Sequence, residues 1–230
     1  MNHDPPNPDK RAGKKIKCKK KTKTKPPKDD VIITHSKFQF RKKIAAFDFD
    51  HTLVKPKSAT TFSKNATDWI WLRECVKDVV LKYYKKGYSI VIFTNQSRDY
   101  KKEQVKTVLD TLNIPYKAYI MYNKSLKKPN PFYFNKHIAG KTYDKSLSFY
   151  VGDALGRPGD WSDSDKEFAI NSNLKYIEPE EIFPFPRNPP VKLKKVKVQE
   201  LVLMVGYPGS GKSTYVAENF TEPNYSIISG

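Results

Sequence analysis

The feature that most constrains the fold is a short apolar stretch that ends in a cluster of acids, IAAFDFDHT (residues 44–52). Side chains alternate along an extended segment, so Asp48 and Asp50 point to one side while Phe47 and Phe49 point to the other. Two carboxylates that face one space repel each other, and a divalent cation between them relieves that repulsion. The stretch therefore predicts a strand that ends at a metal site.

Apolar segments followed by polar residues recur along the chain, and amphipathic segments lie between them. We predict strands at KIAAF, YSIVIFT, YKAYIMY and SLSFYVGD, and helices at DWIWLRECVKDVVLKYYKK and KEQVKTVLDTLN. Strands separated by helices of this length form a mainly parallel sheet, and chemistry in such folds lies at the carboxyl ends of the strands. The sequence thus predicts a doubly wound α/β domain.

The charge of the chain favours an acidic partner. It carries 43 Lys or Arg residues against 24 Asp or Glu, a net charge of +19 over 230 residues, which is typical of proteins that bind nucleic acid. Its two cysteines, Cys18 and Cys75, indicate a reducing compartment without a disulfide framework. No apolar run approaches the roughly 20 residues of a membrane span, and the N-terminus lacks an apolar signal core. We expect a soluble intracellular monomer.

Composition divides the chain into four parts. Residues 1–43 are rich in Lys and Pro and predict a disordered basic arm, whereas residues 44–183 carry the α/β pattern. Residues 184–199 are rich in Pro and Lys and predict a linker, after which residues 200–230 begin a second unit. The run KRAGKKIKCKKKTKTK fits either a solvated tail or a nuclear-import signal or nucleic-acid arm, and the sequence leaves these alternatives open.

Polar side chains in the predicted domain supply the parts of a phosphoryl-transfer site. Thr94 ends VIFT, Lys128 lies in KKPNP, and Asp153 ends YVGD. Together with Asp48 and Asp50 they offer a nucleophile, an acid or base, a phosphate-binding hydroxyl, a cation and a metal ligand. This inventory suits transfer of a phosphoryl group to a carboxylate with the help of Mg²⁺.

The motifs DFDHT, IFTNQ, KKPNP and GDALGR stand in the order typical of the haloacid dehalogenase superfamily of phosphatases. The segments DWIWL, GYSIVIFTNQ, LNIPYKAYI, FYVGDALGRPGDWSDSDKEFAINSNL and PEEIF resemble, more closely, the phosphatase half of polynucleotide kinase 3′-phosphatases, which process DNA ends. The resemblance spans residues 44–187. It implies a haloacid dehalogenase-like fold and a Mg²⁺-dependent 3′-phosphatase that acts on ends of DNA or RNA.

The resemblance also implies a role for each motif residue. Asp48 would be the nucleophile and Asp50 the general acid, which later activates water. Thr52 would fix the geometry of the acidic loop, the segment DFDHT that carries Asp48 and Asp50. Thr94 would bind a phosphate oxygen, and Lys128 would offset the charge of the nucleophile and the phosphate.

Further residues of these motifs are implied to hold the metal. The implied Mg²⁺ site comprises Asp48, Asp50 through its carbonyl, Asp153 and Asp165. Asp160 and Asp163 compete with Asp165 for the position that supports the metal through water, and the sequence does not decide between them. His51 is interpreted as a tolerated side chain in preference to a substrate contact.

A second motif, GYPGSGKST, follows the predicted strand ELVLMV and precedes the predicted helix YVAENF. That context is the one a P-loop requires, in which backbone N–H groups point at phosphates, the Lys reaches the β and γ phosphates, and the Ser coordinates Mg²⁺. The predicted ATP-binding residues are Gly206, Gly209, Gly211, Lys212, Ser213 and Thr214.

The P-loop segment resembles the start of the 5′-kinase half of the same enzymes. Phosphate transfer also needs an acceptor base, arginines and a lid from later strands. Few residues follow Thr214, whereas an independent α/β domain needs on the order of 100. We therefore expect an incomplete kinase unit that binds ATP weakly.

Two other functions fit the same residues. A phosphatase of small metabolites would use the same four motifs, and a nucleotide- or nucleic-acid-binding protein would use the P-loop beside an idle phosphatase site. The net charge and the finer resemblance favour polynucleotide ends over small metabolites. Intact acids at positions 48, 50 and 153 argue against an idle site.

Overall fold

The chain forms two compact units, Met1–Pro186 and Arg187–Gly230. The computed structural model describes residues 28–185, 201–207, 209–220 and 226. Within these ranges no helix has the length and apolar character needed to cross a membrane.

The first unit is built on a six-stranded sheet with a separate two-stranded ribbon. The strands of the sheet are β1 (Val31–Thr34), β2 (Lys43–Phe47), β5 (Tyr88–Asn95), β6 (Tyr116–Met121), β7 (Phe149–Val151) and β8 (Lys175–Ile177), and those of the ribbon are β3 (Val54–Lys55) and β4 (Ile70–Trp71). The order across the sheet is β1-β6-β5-β2-β7-β8, and all neighbours are parallel except β1 and β6. The direction of winding therefore reverses at β2.

Helices cover both faces of this sheet. Those of the first unit are α1 (Val76–Lys85), α2 (Lys101–Asp110), α3 (Phe132–Phe134) with a π-helical turn (Asn135–Ala139), α4 (Ser164–Asn171) and α5 (Pro179–Ile182), and the second unit contains α6 (Lys212–Asn219).

Alternate side chains of β2 enter two different cores. Ala45 and Phe47 share a core with apolar residues of α1 and α2, whereas Ile44 and Ala46 share one with residues of α3 and α4. Because both faces of the sheet are covered, its central strands β2 and β5 are buried along nearly their whole length and are mainly apolar. The predicted α/β class with a doubly wound, mainly parallel sheet is confirmed.

The predicted disordered arm, residues 1–43, extends too far along the chain, because it includes a strand of the sheet. Residues 31–34 form β1, which pairs antiparallel with β6, and the Asp30 carboxylate accepts hydrogen bonds from the backbone N–H groups of Tyr122 and Asn123 at 2.6 and 2.7 Å. The β-branched segment VIIT suits a half-buried edge strand. Residues 1–27 of the predicted arm and most of the predicted linker lie outside the described residues.

The helix predicted from Asp68 begins only at Val76. Ile70 and Trp71 instead pair with Lys55 and Val54 in the ribbon. Isoleucine and tryptophan are residue types enriched in strands, which favours the ribbon over a helix at this point. In addition, α4, β8 and α5 were not predicted from the sequence.

In the second unit, the predicted strand ELVLMV is not formed over residues 201–205. Leu201, Leu203 and Val205 are 92, 79 and 85% exposed. A strand satisfies its backbone groups only by pairing with a neighbour, and the described residues of this unit include no strand to pair with. The predicted helix YVAENF corresponds to the later part of α6, which is formed.

Candidate active site

The carboxyl ends of β2, β5 and β7 meet where the winding of the sheet reverses. Asp48 directly follows β2, Thr94 is near the end of β5, and Asp153 follows β7. The backbone N–H of Asp48 donates to the carbonyl oxygen of Val151 at 2.8 Å, which extends the β2–β7 pairing to the acid itself. In open parallel sheets, the crevice at such a switch point is where ligands bind.

Lys128 lies at this edge among the carboxylates of Asp48, Asp153 and Asp165, which we name the acidic cluster. Its Nζ donates to Asp48 Oδ1 and Asp165 Oδ1, both at 2.6 Å, and to the hydroxyl of Tyr150 at 2.9 Å. The Tyr150 hydroxyl donates in turn to Asp165 Oδ1 at 2.7 Å. Lys128 is 6% exposed and Asp165 only 1%, so these charged groups are stabilised by one another and not by water.

The loop that carries Lys128 is joined to β5 through one amide side chain. Asn95 Oδ1 accepts a hydrogen bond from the backbone N–H of Lys128 at 2.8 Å, and Asn95 Nδ2 donates to the carbonyl oxygen of Lys128 at 3.0 Å. This two-way contact fixes the backbone from which the lysine reaches the acids.

Three carboxylates form a group that could hold a metal ion. Asp48, Asp153 and Asp165 each offer an oxygen, and these oxygens all lie within 4.8 Å of one another. Asp165 enters from α4 because Gly152 leaves room for it, since a Cβ at position 152 would lie 2.4 Å from Asp165 Cγ. When all three acids are ionised, one lysine does not balance their charge, and carboxylate oxygens are the ligands Mg²⁺ prefers. The group therefore fits a divalent cation.

The competing acids lie elsewhere. Asp160 accepts hydrogen bonds from Arg157 Nε and from the backbone N–H of Leu155, both at 3.1 Å. Asp163 is exposed and directly precedes α4. Of the three acids predicted to compete for the position that supports the metal, Asp165 is the one that lies in the acidic cluster.

Burial and neighbouring charges shift protonation within the cluster. Burial raises the pKa of Asp48 well above its usual 3.8, although Lys128 opposes this shift. Burial, and then the charge of Asp165, also raise the pKa of Asp153. Burial alone would lower the pKa of Lys128, but the carboxylates of Asp165 and Asp48 outweigh it and raise that pKa. A bound cation would favour the ionised acids.

Asp50 faces β5 and α2. Its Oδ2 accepts a hydrogen bond from Gln96 Nε2 at 2.7 Å, and its Oδ1 accepts one from Lys101 Nζ at 2.5 Å. Gln96 Nε2 also donates to Thr94 Oγ1 at 2.7 Å, so one amide links the predicted acid to the predicted phosphate-binding hydroxyl. Asp50 thus lies beside the cluster without competing for Lys128.

Thr52 joins the loop that carries Asp48 and Asp50 to the group of three carboxylates. The side chain is fully buried, and its Oγ1 donates to Asp153 Oδ1 at 3.1 Å. The turn before it is tight, because His51 has a φ of +56°, in the left-handed region that few side chains adopt. His51 Nε2 lies 2.9 Å from the carbonyl oxygen of Thr61.

The segment between β3 and β4, the 56–69 loop, lies against this turn. Asp68 organises it by accepting hydrogen bonds at 2.8 Å from Lys64 N, Ser58 N and Ser58 Oγ, and these contacts lower the pKa of Asp68 from its usual 3.8. Phe62, at its tip, is 62% exposed, and its ring lies 6.5 Å from His51 and 5.9 Å from Trp161, which is 78% exposed. We name Phe62 and Trp161 the aromatic pair.

The structure brings together every residue predicted for the first site. These are Asp48, Asp50, Thr52, Thr94, Lys128, Asp153 and Asp165. Sequence reasoning missed Gln96, Lys101 and Tyr150. Gln96 had a usable signal, because it follows a strand end inside IFTNQ, whereas Lys101 and Tyr150 resemble ordinary helix and strand residues.

The P-loop residues form a separate group in the second unit. Gly209 and Gly211 have φ values of +74° and +85°, which suit glycine, and α6 begins at Lys212. Lys212 Nζ donates to the carbonyl oxygens of Gly206 and Tyr207, each at 2.8 Å. Ser213 and Thr214 are exposed in the first turn of α6.

Comparison with known proteins agrees with the geometry of the first site. A family model described as polynucleotide kinase 3 phosphatase matches residues 43–183. The chain is 33% identical over 228 residues to a bifunctional polynucleotide phosphatase/kinase of Schizosaccharomyces pombe, a match that covers 86% of this chain and 56% of that protein. It therefore spans little more than half the length of that relative.

Two further relatives match a shorter part of the chain. An uncharacterized 20.8 kDa protein of Autographa californica nuclear polyhedrosis virus is 37% identical over 160 residues, covering 61% of this chain and 85% of the viral protein. A polynucleotide 3′-phosphatase of Arabidopsis thaliana is 32% identical over 168 residues, covering 61% of this chain and 24% of the plant protein.

Proposed function

Because the chain belongs to the polynucleotide kinase 3 phosphatase family, we propose that it removes 3′-phosphates from polynucleotide ends with the help of Mg²⁺. The observation that carries the proposal is the buried acidic cluster. Lys128 Nζ contacts Asp48 and Asp165 there, and Asp153 offers a third carboxylate within 4.8 Å.

In the proposed reaction, an Asp48 carboxylate oxygen attacks the phosphorus of the 3′-phosphate. The bond from Asp48 to phosphorus forms as the bond from phosphorus to the 3′ oxygen breaks. The Thr94 hydroxyl and the Lys128 ammonium group bind the remaining phosphate oxygens, where negative charge develops. Asp50 gives its proton to the departing 3′ oxygen, which leaves as a hydroxyl group.

Water then hydrolyses the aspartyl phosphate. Asp50, now ionised, takes a proton from the water that attacks phosphorus, and the Asp48 carboxylate is regenerated as inorganic phosphate leaves. The position of Asp50 suits both steps, because Gln96 Nε2 contacts both its carboxylate and the Thr94 hydroxyl, each at 2.7 Å.

Asp48, Asp153 and Asp165, with the carbonyl of Asp50, would hold Mg²⁺. The bound ion would offset the charge of the phosphate and so permit an anionic nucleophile to approach it. Lys128 supplies one positive charge beside three buried or partly buried carboxylates. It therefore cannot offset the charge of the acids and of the phosphate together.

A polynucleotide substrate is favoured over a small phosphate ester by the surroundings of the site. The aromatic pair is exposed beside the acidic loop, and bases of single-stranded nucleic acid stack on such side chains. Lys64 and Arg98, both exposed, line the same depression as Phe62 and can contact the phosphates of the strand. A small ester would use neither feature.

The test compares phosphate release from three substrates in the presence of Mg²⁺: a 3′-phosphorylated oligonucleotide, the same oligonucleotide phosphorylated only at its 5′ end, and glycerol phosphate. We expect kcat/KM to be highest for the first substrate by at least about a hundredfold, since the binding energy of the strand contributes only there. Equal kcat/KM for glycerol phosphate would favour the metabolite phosphatase instead.

Residues 1–27 offer a second test of the polynucleotide substrate. This segment is rich in lysine, and cations that meet phosphates release counterions, so affinity falls with salt. Deleting residues 1–27 retains β1 and should flatten the dependence of oligonucleotide affinity on salt concentration. If the dependence of affinity on salt concentration did not change, residues 1–27 would be a solvated tail that does not contact the oligonucleotide.

We also infer a second binding function, in which Gly206–Ser213 takes the phosphates of ATP. Support comes from the left-handed Gly209 and Gly211 immediately before α6, and from Lys212 Nζ, which lies 2.8 Å from two loop carbonyl oxygens. An anionic phosphate could replace those carbonyls as the partner of the ammonium group. Titration with a fluorescent ATP analogue, with and without Mg²⁺, tests this inference.

A further inference from the structure

We propose that Lys101 is a positioning residue that fixes the Asp50 carboxylate and ties it to the 56–69 loop. The inference rests on the proposed function, because it concerns the group that protonates the leaving oxygen. It adds a residue from outside the four motifs that the reaction itself uses.

The contacts of Lys101 form a continuous buried chain. Lys101 opens α2, is 4% exposed, and its Nζ donates to Asp50 Oδ1 at 2.5 Å and to Gln104 Oε1 at 2.8 Å. Gln104, which is fully buried, donates through Nε2 to the carbonyl oxygens of Asn65 at 3.1 Å and Asp68 at 3.4 Å. Asp50 is therefore connected, through two side chains, to the backbone of the 56–69 loop.

Two donors together define the orientation of the Asp50 carboxylate. Gln96 occupies Oδ2 and Lys101 occupies Oδ1, so the plane of the group is fixed by one contact on each oxygen. Without Lys101 only the Gln96 contact remains, and the carboxylate can rotate about it. An acid that is displaced by about 1 Å loses much of its rate advantage.

Burial distinguishes Lys101 from an ordinary surface lysine. Withdrawing an ammonium group from water is costly unless its donors are satisfied, and Lys101 has Asp50, Gln104 and the face of Phe49, whose ring centre lies 5.6 Å from Nζ. Lys102, the next residue on the helix, is exposed. The neighbouring lysine therefore serves as a matched control for the loss of one positive charge.

The chemistry of the leaving group separates a positioning role from a purely structural one. A 3′ oxygen leaves poorly unless it is protonated as its bond to phosphorus breaks, whereas p-nitrophenolate leaves as a stable anion. If Lys101 acts through Asp50, its loss must slow the first step with an alkyl phosphate far more than with p-nitrophenyl phosphate.

The experiment measures first-turnover rates of leaving-group release by rapid quench for Lys101→Met, Lys102→Met and Lys101→Arg. For Lys101→Met we expect the rate to fall by about 30- to 100-fold with the 3′-phosphorylated oligonucleotide, and by less than about threefold with p-nitrophenyl phosphate. Lys102→Met should match the wild type with both substrates. Lys101→Arg, which keeps a cationic donor, should recover part of the loss. For each variant, the ratio of its rate with the oligonucleotide to its rate with p-nitrophenyl phosphate is independent of the folded fraction of the preparation.

Equal losses on both substrates, or no loss on either, would overturn the positioning role. A third substrate, glycerol phosphate, keeps this test apart from the test of function, because it has an alkyl leaving group but no strand. If the wild type cleaves glycerol phosphate and p-nitrophenyl phosphate but not the oligonucleotide, the proposed function fails. The ratio of those two rates in Lys101→Met then still decides the role of Lys101.

Discussion

The two motifs that we propose to bind phosphate are built in different ways. The acidic cluster takes side chains from the ends of β2, β5 and β7, from the loop at Lys128 and from α4, and Lys128 is 6% exposed. The P-loop segment takes all its residues from Gly206–Thr214, and none of the described residues of α6 is buried. A motif of closely spaced residues thus specifies the conformation of its own backbone. A site made from distant segments forms only where a hydrophobic core brings those segments together.

The largest effect expected from this comparison is on the nucleophile. Asp48→Asn preserves shape but cannot attack phosphorus, so phosphate release from a 3′-phosphorylated oligonucleotide should fall by at least about a thousandfold. Asp163→Asn, a change at an exposed acid outside the cluster, is the control and should leave the rate unchanged. Wild-type turnover in Asp48→Asn would mean that another residue carries the phosphoryl group.

The second effect concerns the core that assembles the site. Ile92 is fully buried in β5, and Ile92→Ala should lower the free energy of unfolding by about 2–5 kcal/mol. Val216→Ala in α6 should change the same transition by less than about 0.5 kcal/mol. All three tryptophans (Trp69, Trp71 and Trp161) lie in the first unit, so urea titration followed by tryptophan fluorescence reports that unit. Equal shifts would show that the two units unfold together.

The third effect is on metal dependence. Asp153→Asn removes one anionic ligand from the acidic cluster but retains an oxygen, so the Mg²⁺ concentration at half-maximal activity should rise by about tenfold. A titration of phosphate release against Mg²⁺ measures this shift, with Asp163→Asn again as the control. An unchanged half-maximal concentration would remove Asp153 from the metal site.

The smallest effect is expected for the P-loop lysine. Lys212→Ala should weaken binding of a fluorescent ATP analogue by roughly three- to tenfold, because one cationic donor is lost from an exposed loop. Phosphatase turnover should remain within about twofold of wild type, since the acidic cluster lies entirely in the first unit. A large loss of phosphatase activity would reveal that the two motifs depend on each other.

Much of the fold was predictable because the signals were local. The central strands contain apolar runs, Asp48 and Asp153 follow such runs and Thr94 ends one, so strand direction predicted the parallel sheet and placed these three residues at one edge of it. The ribbon of Ile70 and Trp71 was mistaken for helix because the apolar residues after it have helical spacing.

The remaining contacts were hidden because they join residues far apart in sequence. Tyr150 is one of several apolar strand residues until the fold places its hydroxyl between Lys128 and Asp165. Lys101 is one of many lysines until α2 brings it to Asp50. The strand predicted at residues 201–205 shows the converse, because an apolar run predicts a strand only where a neighbour can pair with it.

The absence of a side chain at position 152 also bears on how natural variation in this protein should be interpreted. An alanine there adds one methyl group, without charge or polarity, at a point 2.4 Å from Asp165 Cγ, so the acid or the end of β7 must move. Such a variant would keep every acid, hydroxyl and lysine of the site and still lose the arrangement that we propose to bind the cation. In a list of substitutions ranked by chemical similarity it would stand among the mildest, while in the molecule it would displace the acids proposed to hold the metal.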